Sequence, residues 1–217
     1  MIKVLSYLTE QVRKAFSNLI LRAILYLTDG LLITGASLIA PIFAIFVERV
    51  GGGILEAGIA VTIYSLTAGI GIFLFSRIED RVRDFRHFVV IGYFVASLGY
   101  FLYLFVSSPS LLFMVQFILG VATAIRVPAY DVLLSQSAPS HLAIAWGNWN
   151  AMAFLVSATG SFVGALIASI FGFYTLLWLL FLLTFTSFII SLILLKKHYH
   201  HSLLPSTEET KLPESDE

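Results

Sequence analysis

The chain has 217 residues, 59% of them hydrophobic and only 12% charged, with thirteen basic and thirteen acidic side chains and a mean hydropathy of +0.93. That much apolar surface exceeds what a water-soluble chain of this size can hide, so aqueous folding is excluded and an integral membrane protein is indicated. No cysteine is present, which rules out disulfides and thiolate metal sites.

Residues 1–18 come first. Leu5, Leu8, Val12, Phe16 and Leu19 recur at three- and four-residue spacing, while Lys3, Glu10, Arg13 and Lys14 lie elsewhere around the helix. This predicts an amphipathic interfacial helix, whose plainer role is an ordered lead-in to the first span. Six apolar segments follow, Leu19 to Val47, Ile54 to Phe75, Phe88 to Val106, Leu111 to Leu134, Leu142 to Phe171 and Phe173 to Leu195. Each is near the ~20 residues that cross hydrocarbon as a helix, so residues 19–195 read as an all-α six-transmembrane-helix bundle. The fifth and sixth segments run together without a polar loop. Gly172, between Phe171 and Phe173, is the expected pivot, because glycine accepts a left-handed backbone and aromatic residues suit the interface. Residues 196–217 turn polar, acidic and proline-containing and are expected to be a disordered tail.

Lysine and arginine set the orientation. Lys3, Arg13, Lys14 and Arg22 precede or open the first span, Arg77, Arg81, Arg83 and Arg86 fill the second connection, and Lys196 and Lys197 close the sixth span; Arg49 stands on the opposite side. The positive-inside rule then expects a cell-membrane protein with both termini and the arginine loop in the cytoplasm. The first span is too long for a cleaved signal peptide and is expected to persist.

Polar and small residues form stripes at helical spacing: Asp29, Ile33, Ser37 and Ala40; Gly58, Thr62, Ser65 and Gly69; Gln116, Gly120, Thr123 and Val127; Asn150, Ser157, Ser161 and Gly164. Such residues enter a bilayer at helix contacts or water-filled cavities, so spans one, two, four and five are expected to line the interior and spans three and six to face lipid. Gly58, Gly69, Gly160 and Gly164 are candidate packing positions. Asp29, Gln116 and Asn150 are candidate substrate or proton sites. Asp29 lies about ten residues, or about 15 Å, inside the first span, and at that depth a carboxyl is either a proton or substrate site or a structural carboxylate bonded to a neighbouring helix or reaching the cytoplasmic interface.

Three local patterns carry a resemblance. Ser76-Arg-Ile-Glu-Asp80-Arg81-Val-Arg83-Asp84-Phe-Arg86 resembles the Gly-x-x-x-Asp-Arg-x-Gly-Arg-Arg loop of the major facilitator superfamily, matching at Asp80 and Arg81 and departing at Ser76, Arg83 and Asp84. Gln116 to Gly120, then Arg126-Val-Pro128-Ala-Tyr-Asp131 and Ala138-Pro139, is similar to that family's fourth helix and its exit, with Gln116 where arginine is common. Gly160-Ser161-Phe-Val-Gly164-Ala165 resembles its Gly-Pro-x-x-Gly-Gly motif, with the proline and last glycine replaced. The resemblance covers Leu19 to Leu195 and implies the amino-terminal six-helix half of such a transporter.

The resemblance also implies that the cytoplasmic charge cluster stabilises one gating state. Asp80, Arg81, Arg83, Arg126 and Asp131 are its candidate members, with Asp131 as acidic partner and Arg126 near enough to the cytoplasmic end of its helix to snorkel, which favours a structural or gating role for it over substrate binding. A topogenic loop at the headgroups is the simpler account of the arginines. Trp146 and Trp149 read as interfacial anchors. His198, His200 and His201 read as headgroup contacts rather than a metal site. With no HExxH motif, phosphate-cradling glycine loop or intramembrane serine–histidine pair, no enzyme, metal or cofactor is expected, nor any nucleic-acid partner.

The function expected is a secondary transporter, or half of one, moving a small solute by alternating access and open to proton coupling at Asp29. A non-transporting six-helix scaffold or assembly partner is the alternative. The remaining partner is a parallel copy of this chain or a separately encoded six-helix half, meeting it along Gly58 to Gly69 and Ser157 to Gly164.

Overall fold

The computed structural model describes residues 2–196, which are helical with short connections and contain no strand. Of the expected elements, the tail from residue 197 onward and its histidines lie outside the described residues. Helix α1 (Ile2–Ile39) runs unbroken for 38 residues, about 57 Å of helix, so the segment read as a separate interfacial helix continues directly into the first span. Pro41 ends it, since proline fits the first turn of a helix but not its interior. A 3-10 turn, Ala40–Ile42, leads into the short α2 (Phe43–Arg49).

Helix α3 (Ile54–Val82) begins where the Gly53 N–H donates to Glu56 Oε2 at 2.7 Å. It ends at Arg83, whose left-handed backbone (φ 57°) lets its N–H close on Glu79 O at 2.8 Å. Then come α4 (Phe85–Leu102), α5 (Pro109–Gln136), with Ser108 as N-cap and Pro109 at its start, and α6 (Leu142–Ser191).

Five of these helical stretches are long and apolar enough to cross a membrane, but α6 is two spans. Gly172 (φ 83°, ψ 170°) interrupts it in a region open essentially to glycine alone. Along residues 142–171 the contacts with α1 advance together, Tyr26 with Ala145, Asp29 with Trp149 and Ser37 with Ser157, so this arm is parallel to α1. Along residues 173–191 they run in reverse, Gly35 against Leu180 and Thr28 with Ser187, so the second arm is antiparallel to it. The chain therefore reverses at Gly172, giving the six spans expected.

The arms of α6 flank α1, the second arm meets α4 through Phe94–Phe188 and Phe101–Phe181, and α4 and α3 both pack on α5. One apolar cluster, including Leu21, Val89, Leu134, Ala138 and Leu194, gathers the start of α1, the α3–α4 and α5–α6 connections and the end of the last span on one side. A second, including Phe46, Val47, Tyr103, Leu112 and Phe173, closes the other, where Arg49 lies over the Phe173 ring at 4.6 Å. The basic loop thus shares a side with Leu21 of α1 and Leu194 at the end of the last described span, and Arg49 is opposite.

Two packing expectations need correction. The third and sixth spans are not lipid-facing bystanders: 44% of α4's apolar window is buried, as much as of α1 or α5, with Gly92, Tyr93, Ser97 and Gly99 against its neighbours, and Leu176, Leu180, Thr184, Ser187 and Ser191 of the last span are fully buried. The stripe containing Gly58 and Gly69 does not pack within the bundle, for nothing lies within 4 Å of a side chain built at either. The packed face of α3 is the opposite one, where Tyr64 and Thr67 meet Gly120 and Gly71 meets Ala124. Gly160 and Gly164 do pack, and they pack on α1, where the Leu38 carbonyl fills the space a side chain at Gly164 would need.

Candidate functional site

Asp29 is completely buried. Its Oδ1 accepts from Arg126 Nη1 of α5 and from Tyr93 Oη of α4 at 3.3 Å, and its Oδ2 accepts from Trp149 Nε1 of α6 at 2.8 Å. Donors from three helices thus converge on one carboxylate of α1. A buried carboxylate inside hydrocarbon persists only when paired and hydrogen-bonded, and this one is both. The titratable and charged groups around it are Tyr93 on α4 and Arg126, Tyr130 and Asp131 on α5, with Tyr26 of α1 beside Tyr130. The α6 donor, Trp149, does not titrate.

Arg126 is held as firmly. Its guanidinium carbon lies 5.3 Å from the Tyr93 ring centre and 5.7 Å from that of Tyr130, within cation–π range of both. Tyr130 is itself fixed by donating to Leu25 O at 3.2 Å. Gly92 lets α4 come close here, since a Cβ on it would fall 2.5 Å from Arg126 Cβ. The expected snorkelling of Arg126 to the cytoplasmic surface is therefore wrong: its head turns to Asp29, and only 13% of its side chain is exposed. Electrostatics decides this, because a buried countercharge outweighs what a partly screened headgroup contact offers.

The exposed part of Arg126 borders a cavity of about 150 Å³ between α1, α3, α4 and α5, where the two apolar clusters meet. Leu32, Ile33 and Leu119 supply apolar wall, Tyr100 a ring, and Tyr64 and Thr123 hydroxyls 3.1 Å apart. Asp29 does not line this space; it stands behind Arg126. Apart from Nη1, the guanidinium makes no hydrogen bond among the described residues.

The other candidates lie elsewhere. Gln116 is buried and donates to Tyr103 Oη at 3.0 Å, away from the cavity. Asn150 is exposed, its amide donating to Trp146 O at 2.9 Å within its own helix. The polar stripe of the fifth span is taken up by α1: Ser157 meets Ser37 at 3.1 Å and Ser161 donates to Ser37 O at 3.5 Å. Trp149 is no mere interfacial anchor but a ligand of Asp29.

Of the charge cluster, Asp80, Arg81 and Arg83 are exposed and form no ion pair among the described residues. Asp131 interacts with Arg126 and Asp29. The residue that sequence reasoning passed over is Glu79, 1% exposed, with neither carboxylate oxygen hydrogen-bonded among the described residues and Asp131 as a charged neighbour. Helical spacing marks it: Glu79 is eight residues beyond Gly71 and shares the packed face of α3, whereas Asp80 is turned away by one position.

Six apolar spans enclosing an ion pair and a cavity between two apolar end-clusters define a multi-pass membrane protein built around a central polar site. The chain belongs to the major facilitator superfamily, whose sequence profile matches residues 25–215. It is also 25% identical over 150 residues to an uncharacterized MFS-type transporter of Methanocaldococcus jannaschii, a match covering 69% of this chain and 39% of that relative.

Proposed function

We propose that this chain is a six-helix transporter unit that moves a small solute by alternating access, together with a second six-helix unit that is either its own copy or a separate chain. The observation that carries the reading is the cavity between four helices with a paired but partly uncovered arginine on its wall. Ionisable groups at such depth are costly, and they characteristically line solute paths. In this arrangement Asp29 is the fixed counter-ion of Arg126, and a proton on Asp29 releases Arg126, which is how proton coupling enters.

The second unit meets the outward stripe of α3, Gly58, Thr62, Ser65 and Gly69. This helix has only 11% of its apolar window buried, and its small side chains permit close approach. The Ser157 to Gly164 seam is already occupied by α1 and is dropped from the contact. Both termini and the loop after Val82 lie in the cytoplasm of a cell-membrane protein, following the basic residues gathered there.

The test uses the absence of native cysteine. Thr123→Cys, placed on the cavity wall, should react with an impermeant thiol reagent from either face of sealed membrane vesicles. Reaction from one face alone would refute alternating access and favour the scaffold.

A further inference from the structure

Arg126 offers more than its countercharge uses. One nitrogen binds Asp29, while the remaining guanidinium edge faces the cavity without a protein acceptor among the described residues. A guanidinium is a planar fork suited to two oxygens at once. Tyr64 and Thr123 add a second donor, for two hydroxyls bonded to each other use one proton between them and leave the other O–H free. The rest of the wall is aliphatic apart from Tyr100, which brings a ring and one further hydroxyl. A cavity of about 150 Å³ is of the size that accepts a benzene-sized ring.

Resting on the transporter reading, we propose that the cavity binds a small organic monocarboxylate with an apolar body, its carboxylate on Arg126 and the Tyr64–Thr123 pair, and that Asp29 is a built-in competitor for the same guanidinium. The chemistry excludes the other classes. An organic cation meets Arg126 head-on. A neutral amide offers the guanidinium one carbonyl oxygen and no countercharge, and leaves its exposed edge only partly satisfied. A dianion places surplus charge in a site with one cation already shared.

Competition distinguishes this role of Asp29 from a structural one. If Asp29 only props up the fold, Asp29→Asn weakens everything the site does. If it competes, the same change frees Arg126 and strengthens anion binding.

The experiment measures binding of radiolabelled benzoate, with benzamide and benzylammonium as competitors, to the full chain in lipid nanodiscs. Benzoate should bind saturably, and benzamide and benzylammonium should compete at least tenfold less well. Asp29→Asn should tighten benzoate binding about tenfold, and Asp29→Asn combined with Arg126→Gln should abolish it, with cooperative unfolding confirming that each variant is folded. Equal competition by benzamide, weaker benzoate binding in Asp29→Asn, or no saturable binding in either protein overturns the proposal. Thr123→Cys labelling from both faces then shows that the transporter reading survives with a different solute, and labelling from one face shows that both fail.

Discussion

Replacing Arg126 with methionine keeps a long unbranched side chain but strips the buried carboxylate of its countercharge. Removing one partner of a buried pair costs about 3–5 kcal/mol. Because Asp29 keeps its bonds from Tyr93 and Trp149, the loss should sit at the low end, about 3 kcal/mol. Asp29→Asn leaves the cation unmatched, but Arg126 retains 13% exposure toward the cavity, so about 2 kcal/mol is expected. The double variant holds no unpaired charge and should lie about 2 kcal/mol below the wild type, leaving a coupling of about 3 kcal/mol. Unfolding in mixed micelles titrated with dodecyl sulfate, followed by tryptophan fluorescence, reads this cycle. A coupling below about 0.5 kcal/mol would mean that the two residues act independently and would refute the network.

Gly164→Val should destabilise the chain by about 2 kcal/mol or more by driving a side chain into the Leu38 carbonyl, whereas Gly69→Ala, facing open space, should leave monomer stability unchanged or raise it by up to about 1 kcal/mol in the same titration. Gly69→Leu should abolish disulfide crosslinking of Ser65→Cys to the second unit in native membranes while the monomer still unfolds cooperatively; crosslinking that persists would move the contact off α3. In sealed cells an impermeant thiol label should reach Ser108→Cys but not Arg81→Cys, and the reverse pattern would invert the orientation. Solute uptake should depend on external pH in the wild type and lose that dependence in Asp29→Asn; identical pH profiles would remove Asp29 from coupling.

Apolar run length marked the spans, and Gly172 was legible as the reversal because glycine tolerates its backbone and it lies between Phe171 and Phe173 about midway along a run twice the length of one crossing. The facing of each helix was much less legible. Small residues mark both packed and open faces, so the Gly58–Gly69 stripe looked like the Gly160–Gly164 one, although only the latter meets a neighbour inside the chain. Asp29 could be singled out by depth, but its partner lies 97 residues away on another helix and its third donor 120 residues away. No local pattern encodes such a meeting. Glu79 was hidden by its more familiar neighbours Asp80 and Arg81, although helical phase alone distinguishes it from them.

The one-residue reversal at Gly172 also governs how the last two spans reach the bilayer. With no loop between them, neither has a polar flank on the far side to be threaded separately, and the arms lie antiparallel on either side of α1. They form one hairpin whose arms are fixed in opposite directions, so inverting either would invert the other with it. By the positive-inside rule, the basic residue at 196 would set the direction of two spans together. For the same reason, a tag or reporter spliced at Gly172 would not decorate a loop; it would break the insertion unit itself.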